Sequence, residues 1–220
     1  MGVKSMTVIP RPASTVILMD DNARVYMTKR PKTMKFFGGF YVFPGGAVDK
    51  SDYAQNSVYI RNCKQNDSFD PAHFIAAARE LFEEVGVLLS SKDGDTNVKV
   101  KKETDYRRML LKGEISFIEM LKQEGHYLDL ENLTYFGNLT TPEQNPIRFD
   151  TRFFLAKLPK NQSPKPDLNE IDEASWFLPD DALSAFENGE IFLAPPTIHA
   201  LKTILNHQKG GPLMMPELHF

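Results

Sequence analysis

The sequence predicts an α+β fold, with strands and helices interleaved but not strictly alternating, and three observations carry that expectation. Short apolar runs bounded by turn residues recur at 15–19, 24–28, 133–139, 152–157 and 174–177. One long stretch, 70–89, has helical rather than strand periodicity, and proline-led segments at 179 and 195 open two more helices. Such irregular mixing favours an α+β or sandwich arrangement over repeated βαβ units. A chain of 220 residues suits one elaborated domain over 1–220, able to bury about 70% of its unfolded surface.

In chain order, Thr15 to Met19 and Arg24 to Thr28 flank the turn-forming Asp20-Asp21-Asn22 and read as paired strands. Residues 36–46, FFGGFYVFPGG, are a short aromatic strand ending in a proline-glycine turn. Residues 50–69 are polar and irregular apart from Val58 to Ile60, as expected of an insertion. Asp70-Pro71 then places an N-cap before a proline at the first helical position. The helix is expected to run to about Leu89. At 100° per residue Phe74, Ala78, Leu81, Val85 and Leu88 form an apolar stripe. Glu80, Glu83 and Glu84 share a neighbouring arc about 100° wide, with Arg79 just beyond it. After a polar connection at 90–102, Thr104 to Leu111 and Ser116 to Gln123 read as a helical excursion within 103–124, punctuated by Gly113 and Gly125. Strands are expected at Leu133–Leu139, Arg152–Lys157 and Ala174–Phe177, around the proline-containing loop Pro159 to Pro166. Two helices follow, from Pro179 to about Glu187 and from Pro195 through Leu205.

Charge and cysteine content exclude several functions. A net charge of −3 argues against nucleic acid as the main partner, because binding a phosphate backbone needs a basic surface. Cys63 stands alone and cannot form an internal disulfide, which fits a reducing compartment. No apolar run reaches membrane-spanning length, the start lacks a secretory apolar stretch, and the terminal Glu217-Leu218-His219-Phe220 is not the usual peroxisomal tripeptide. The expectation is a cytoplasmic protein without a membrane partner.

The chemistry concentrates in Arg79-Glu80-Leu81-Phe82-Glu83-Glu84-Val85-Gly86-Val87 and the preceding Phe43-Pro44-Gly45-Gly46. Carboxylates at i, i+3 and i+4 project from one helix face. Two of them about 4 Å apart at an effective dielectric near 20 repel by about 4 kcal/mol, so a partly buried cluster calls for cations. Mg²⁺, or Mn²⁺ in its place, favours such oxygen ligands and commonly works beside substrate phosphates. Gly45 and Gly46 let backbone approach the helix and its ligands closely, and Arg79 can hold a carboxylate in orientation. The competing reading is a solvated helix face, where exposed like-charge pairs cost only about 0.2–0.5 kcal/mol.

The same residues resemble the Nudix signature G-x5-E-x7-R-E-U-x-E-E-x-G-U, U being aliphatic. Every specified position of its second half matches at 79–87. The first half is interrupted: Gly46 precedes Arg79 by 33 residues, so that an insertion lies inside the box. Its first acidic position falls on Asp52 if the gap follows it, or near Asp70 if the gap precedes it. Thr140-Thr141-Pro142 with Arg148-Phe149-Asp150-Thr151-Arg152-Phe153-Phe154 resembles the branch that includes peroxisomal coenzyme A diphosphatases, which also carries an inserted box. The resemblance implies an α/β/α sandwich with a mixed sheet and helical insertions. It implies a Mg²⁺-dependent hydrolase in which metal-activated water attacks the diphosphate of a small molecule, coenzyme A or acyl-coenzyme A, giving 3′,5′-ADP and a phosphopantetheine product. Glu83 and Glu84 are the expected metal ligands, Glu80 a ligand or base, and Arg79 an orienting group. Gly45, Gly46, Arg148 and Arg152 are expected to meet substrate, although RFDTRFF also reads simply as a strand with alternating core positions. Related enzymes often supply a further glutamate late in the chain, for which Glu170 is the first candidate, ahead of Glu173 and Glu143.

Trp176 and most phenylalanines are expected in the core. The histidines, His73 and His199 among them, lack metal-ligand spacing, and Cys63 has no nucleophile signature around it, which weighs against the Nudix-fold isomerases. The insertion and the excursion are expected to shape the substrate mouth. A nucleotide-sugar pyrophosphatase acting on ADP-ribose-like compounds, and a non-catalytic Nudix-fold ligand sensor, are the rival functions; a homodimer is left open.

Overall fold

The computed structural model describes residues 8–54, 56–62, 69–92, 100 and 102–216. Its main sheet contains β1 (Arg11–Met19), β2 (Val25–Lys29), β3 (Tyr41–Val42), β4 (Gly45–Ala47), β8 (Thr134–Thr140), β9 (Phe149–Lys157) and β10 (Glu173–Phe177). A small second sheet joins β5 (Ile60–Arg61), β6 (Ser90–Ser91) and β7 (Tyr127–Asp129). The helices are α1 (Ala72–Val85), α2 (Glu103–Leu111), α3 (Phe117–Glu124), α4 (Pro179–Glu187) and α5 (Pro195–Gln208). Among the described residues no helix is long and apolar enough to cross a membrane. Cys63 and the last four residues lie outside those described.

Strand order in the main sheet is β10-β2-β1-β9-β8, with β3 on β2 and β4 on β1. The sheet is mixed: β1 and β9 run parallel from Arg11↔Phe149 to Met19↔Lys157, and the remaining pairs are antiparallel. Side chains alternate across the two faces, as a period of 2 requires. Val16, Leu18, Phe154 and Ala156 face the core under α1, while Ile17 and Phe153 face the core under α4 and α5. Two helical layers thus enclose the sheet, in the α/β/α sandwich expected.

The α1 stripe is buried as its periodicity predicts, with Phe74, Ala78, Leu81 and Val85 at most 6% exposed. Asp70 accepts the Ala72 N–H at 2.9 Å, capping the start. The helix ends at Val85 rather than Leu89, because Gly86 takes the left-handed conformation at φ 70° and its N–H closes onto the Phe82 carbonyl. Val87, Leu88 and Leu89 remain core residues, but in extended chain. Gln162 bonds both the N–H and the carbonyl of Leu88, at 2.8 and 2.9 Å. The aromatic stretch 36–46 is not one strand; β3 and β4 are separated by Phe43-Pro44. Trp176 lies on the edge strand β10, half-buried and edge-on to Tyr26 at 5.0 Å.

Two buried histidines couple this packing to pH. His73 Nδ1 lies 3.1 Å from both Ser14 Oγ and the Ala13 carbonyl, and His126 Nδ1 lies 3.2 Å from Ser90 Oγ. Burial pushes both below the ordinary 6.5, the positive charge of Arg152 adding to the effect at His73. A histidine depressed by folding favours its neutral form, so its contribution is complete above about pH 6.5 and is lost as pH falls through the folded value. Relative to wild type, His126→Gln should therefore flatten the fall in melting temperature between about pH 6.5 and pH 5. Thermal melts across that window check this; an unchanged difference between the two proteins would contradict it.

Candidate active site

The functional residues converge because α1 lies across the antiparallel β1–β4 pair. Gly45 pairs with Thr15 and Gly46 with Ser14 in the β1–β4 ladder. This pairing is tight enough that a Cβ on Gly45 would come 2.7 Å from Thr15 Cα. On the other side, a Cβ on Gly46 would overlap the Glu80 carboxylate. The Gly45 N–H donates to Glu84 Oε2 at 3.2 Å. The proline-glycine turn is therefore pressed between β1 and the acidic face of α1, where only glycine leaves room.

Behind the carboxylates Arg79 is 5% exposed and uses all five guanidinium N–H donors. Nε donates to Asp52 Oδ1 at 3.0 Å and Nη2 to Asp52 Oδ2 at 2.9 Å, a bidentate fork. Nη1 donates to Glu80 Oε1 and Glu83 Oε2, both at 2.9 Å, and Nη2 also donates to the Ala47 carbonyl at 2.9 Å. Asp52 is fully buried and accepts the Asp49 N–H as well, at 2.8 Å. Burial alone would lower the Arg79 pKa; the bonds to Asp52 and the charges of Glu80, Asp52 and Glu83 outweigh it and raise it. Asp52, not Asp70, thus occupies the interrupted acidic position, and its role is to hold the arginine.

Glu80 and Glu84 line a cavity of about 370 Å³, together with Gly45, Gly46, Glu170 and Arg30. Glu83 does not reach it; its side chain turns back onto Arg79. Burial pushes Glu80 up to about 6 and Glu83 up to about 7, against the pull of Arg79. Burial also pushes Glu84 well up, with the Glu80 charge adding to it. Glu170 is raised too, by burial and by Asp167. Among the described residues no three His, Cys, Asp or Glu side chains are already gathered as a metal-ligand group. A hard divalent ion that shares its sphere with substrate phosphates needs only one or two carboxylates, and Glu80 with Glu84 fits that requirement.

Arg30 was not anticipated from the sequence. Among the described residues its Nε is the buried side-chain polar atom without a hydrogen-bond partner, and it lines the cavity near Glu84 and Glu170. A buried donor without a partner costs energy in itself, and what Arg30 brings to the cavity is its positive charge beside Glu84. Its sequence setting, Lys29-Arg30-Pro31, looks like an ordinary basic turn; the only available signal was its position directly after β2.

Arg148 and Arg152 lie elsewhere. Arg148 is 8% exposed and donates to the Thr141 and Val8 carbonyls at 3.0 and 2.7 Å, bracing the chain ahead of β1. Arg152 pairs with Asp150 at 2.6 Å and lies over the Phe69 ring. Neither lines the cavity, because both guanidiniums find closer partners beside their own strand. Glu173 pairs with Lys29 on the surface, and Glu143 is also outside the cavity. The insertion and the excursion, so far as they are described, do not form the mouth either. The excursion instead grips the end of α1: Arg107 on α2 donates to the carbonyls of Glu83, Glu84 and Lys165, each at 2.9 Å. The Lys165 and Asp167 N–H groups close onto Val85 and Glu84, tying the segment before Glu170 to the same helix end.

The sequence model of the NUDT19 Nudix domain matches residues 58–204. A crystal structure of a NUDIX hydrolase from Alicyclobacillus acidocaldarius superposes with a TM-score of 0.83 at 32% identity, covering 97% of this chain and all of that one. The chain belongs to the Nudix family. A Caenorhabditis elegans protein named "Putative nudix hydrolase 7" is 31% identical over 191 residues, covering 86% of this Nudix chain and 58% of the relative. The acyl-coenzyme A diphosphatase NUDT19 of Xenopus laevis is 25% identical over 224 residues, covering 82% and 59%. This Nudix chain therefore spans about three fifths of the length of the curated relatives it matches. The branch expected from the TP…RFDTRFF segment is the branch these matches give.

Removing one partner of the buried fork tests how much the site depends on it. Asp52→Ala leaves the Arg79 guanidinium buried and short of two acceptors, and should cost about 3–5 kcal/mol. Urea denaturation measures this; a loss below about 1 kcal/mol, the range of an exposed pair, would contradict the assignment.

Proposed function

We propose that this chain is a metal-dependent diphosphatase that cleaves the diphosphate of coenzyme A or an acyl-coenzyme A. The observation that carries the reading is the convergence of Glu80, Glu84 and the positive charge of Arg30 on one cavity. Two carboxylates and one guanidinium are a poor site for a neutral ligand or for a bare cation. They would suit a divalent cation together with a phosphate group, with the Arg30 charge available to the phosphate. The narrower choice of coenzyme A rests on relatives bearing the name acyl-coenzyme A diphosphatase.

In this reading Glu80 and Glu84 hold Mg²⁺, or Mn²⁺, and the metal when bound neutralises phosphate charge, polarises the P–O bond and lowers the pKa of an attacking water. The chain's own residues do the rest. The Gly45 N–H fixes one oxygen of Glu84, and Arg79 fixes one oxygen of Glu80, so both carboxylates are oriented before substrate arrives. Glu83, held on the same guanidinium, completes the acidic face from behind. Glu170 also lines the cavity and would accept a proton from the attacking water. Arg30 draws the diphosphate into place.

Incubating the protein with coenzyme A, an acyl-coenzyme A and ADP-ribose in the presence of Mg²⁺, with products identified by mass, tests the reading. The expected products are 3′,5′-ADP and the phosphopantetheine fragment. Turnover of ADP-ribose alone would move the substrate to nucleotide sugars, and no turnover on any diphosphate would favour a ligand sensor. Glu84→Gln should lower turnover by about 100-fold or more, the scale of losing one group that stabilises transition-state charge, with the melting temperature maintained. Near-normal activity in that variant would remove the metal-site assignment.

A further inference from the structure

The cavity that holds the carboxylates has a second chemical character. Met34, Phe36, Phe37 and Phe149 also line it. These rings belong to a continuous row: Phe149 to Phe36 at 5.3 Å, Phe36 to Phe37 at 4.3 Å, Phe37 to Phe40 at 5.8 Å, and Phe40 to Phe192 at 5.7 Å. Phe192, at the outer end, is 60% exposed. Nothing in the diphosphate chemistry above uses the row.

Its inner part is held at a conformational cost. Phe37 has φ 53°, a left-handed backbone in a bulky residue, where the ordinary occupant is glycine or asparagine. The loop is fixed by its own hydrogen bonds, Met34 N–H to Pro31 at 3.0 Å and Phe40 N–H to Phe37 at 3.2 Å. Its base is Arg30 itself, whose N–H donates to Phe40 at 3.0 Å and whose carbonyl accepts from Gly39 at 2.9 Å. Gly39, two residues on, takes a left-handed conformation as well, at φ 82°, where glycine meets no such cost. Backbone strain of this kind clusters at ligand contacts and active sites.

We propose that Phe36, Phe37 and Phe149 form the subsite for the nucleobase of the substrate, with Arg30 joining that subsite to the phosphates; the proposal rests on the diphosphatase reading. The wall is half-buried and built of rings inclined at 55° and 62°. A flat heteroaromatic ring suits it, because its face meets the phenyl rings while its polar edges stay hydrated. An acyl chain would need an enclosed slot, since every part of it must leave water.

Phe37→Gly separates ring contact from backbone strain, because glycine takes φ near +53° freely. Binding of ADP, inorganic pyrophosphate and 4′-phosphopantetheine to the Mg²⁺-loaded protein is measured by calorimetry, wild type against variant, with Phe36→Leu as a second variant that keeps apolar volume. The expected result is ADP affinity weakened by roughly 5- to 150-fold, the loss of one base–ring stack, with pyrophosphate within about twofold and the melting temperature maintained. The proposal is overturned if ADP affinity is unchanged in both variants, if phosphopantetheine rather than ADP loses affinity, or if wild type fails to bind ADP more tightly than pyrophosphate. Wild-type failure to hydrolyse any diphosphate sinks the functional reading instead, and is scored separately in the activity assay.

Discussion

One buried guanidinium organises the acidic centre of this fold. Arg79 spends five N–H donors on acceptors from three separate parts of the chain: Asp52 in the insertion, the Ala47 carbonyl on β4, and Glu80 and Glu83 on its own helix. A fork of this kind has directional demands that a lysine could not meet. It fixes the rotation of α1 about its axis relative to β4, and two consequences follow. Glu84 meets the Gly45 N–H, and Glu80 comes flush against Gly46, where any side chain would collide with it. Because Arg79 and Asp52 are both removed from water, the pair cannot open without stranding a charge. The acidic face is thereby prepared before any ligand is present.

The far end of α1 is held with comparable care. Gly86 stops the helix, which leaves the last carbonyls without intrahelical donors. Arg107 supplies donors to Glu83 and Glu84, and the backbone of Lys165 and Asp167 supplies the others. A basic side chain at this end also complements the helix dipole. The helical excursion thus acts on the site through the helix it braces and not through the cavity wall. It also sets the start of the segment that carries Glu170 into the cavity.

Local features were legible in the sequence, and features that depend on side-chain direction were not. The α1 stripe, the acidic arc and the proline-glycine turn are properties of neighbouring residues, and the matching nine-residue half-signature at 79–87 placed them together. Helix α1 ended four residues early because the apolar pattern continues through Leu88 and Leu89, which are buried in extended chain. Asp52 and Asp70 were indistinguishable as the interrupted acidic position; burial against Arg79 separates the first from the second, which caps α1. Arg148 and Arg152 could not be assigned from the pattern of β9, since carbonyls and Asp150 beside each arginine claim the guanidiniums. Arg30 escaped notice for the opposite reason, as nothing beside it in the sequence marks it and its place on the cavity wall comes from the fold.

On the proposed function, the Arg79 lock directs Glu80 and Glu84, and not Asp52 or Glu83, toward a bound metal and substrate. An anomalous diffraction measurement on crystals soaked with Mn²⁺ and a slowly hydrolysed diphosphate analogue tests it most directly. The expected result is a manganese peak in coordination contact with Glu80 and Glu84, with the Arg79–Asp52 fork intact. A peak ligated by Asp52, or one bound away from Glu84, would contradict it.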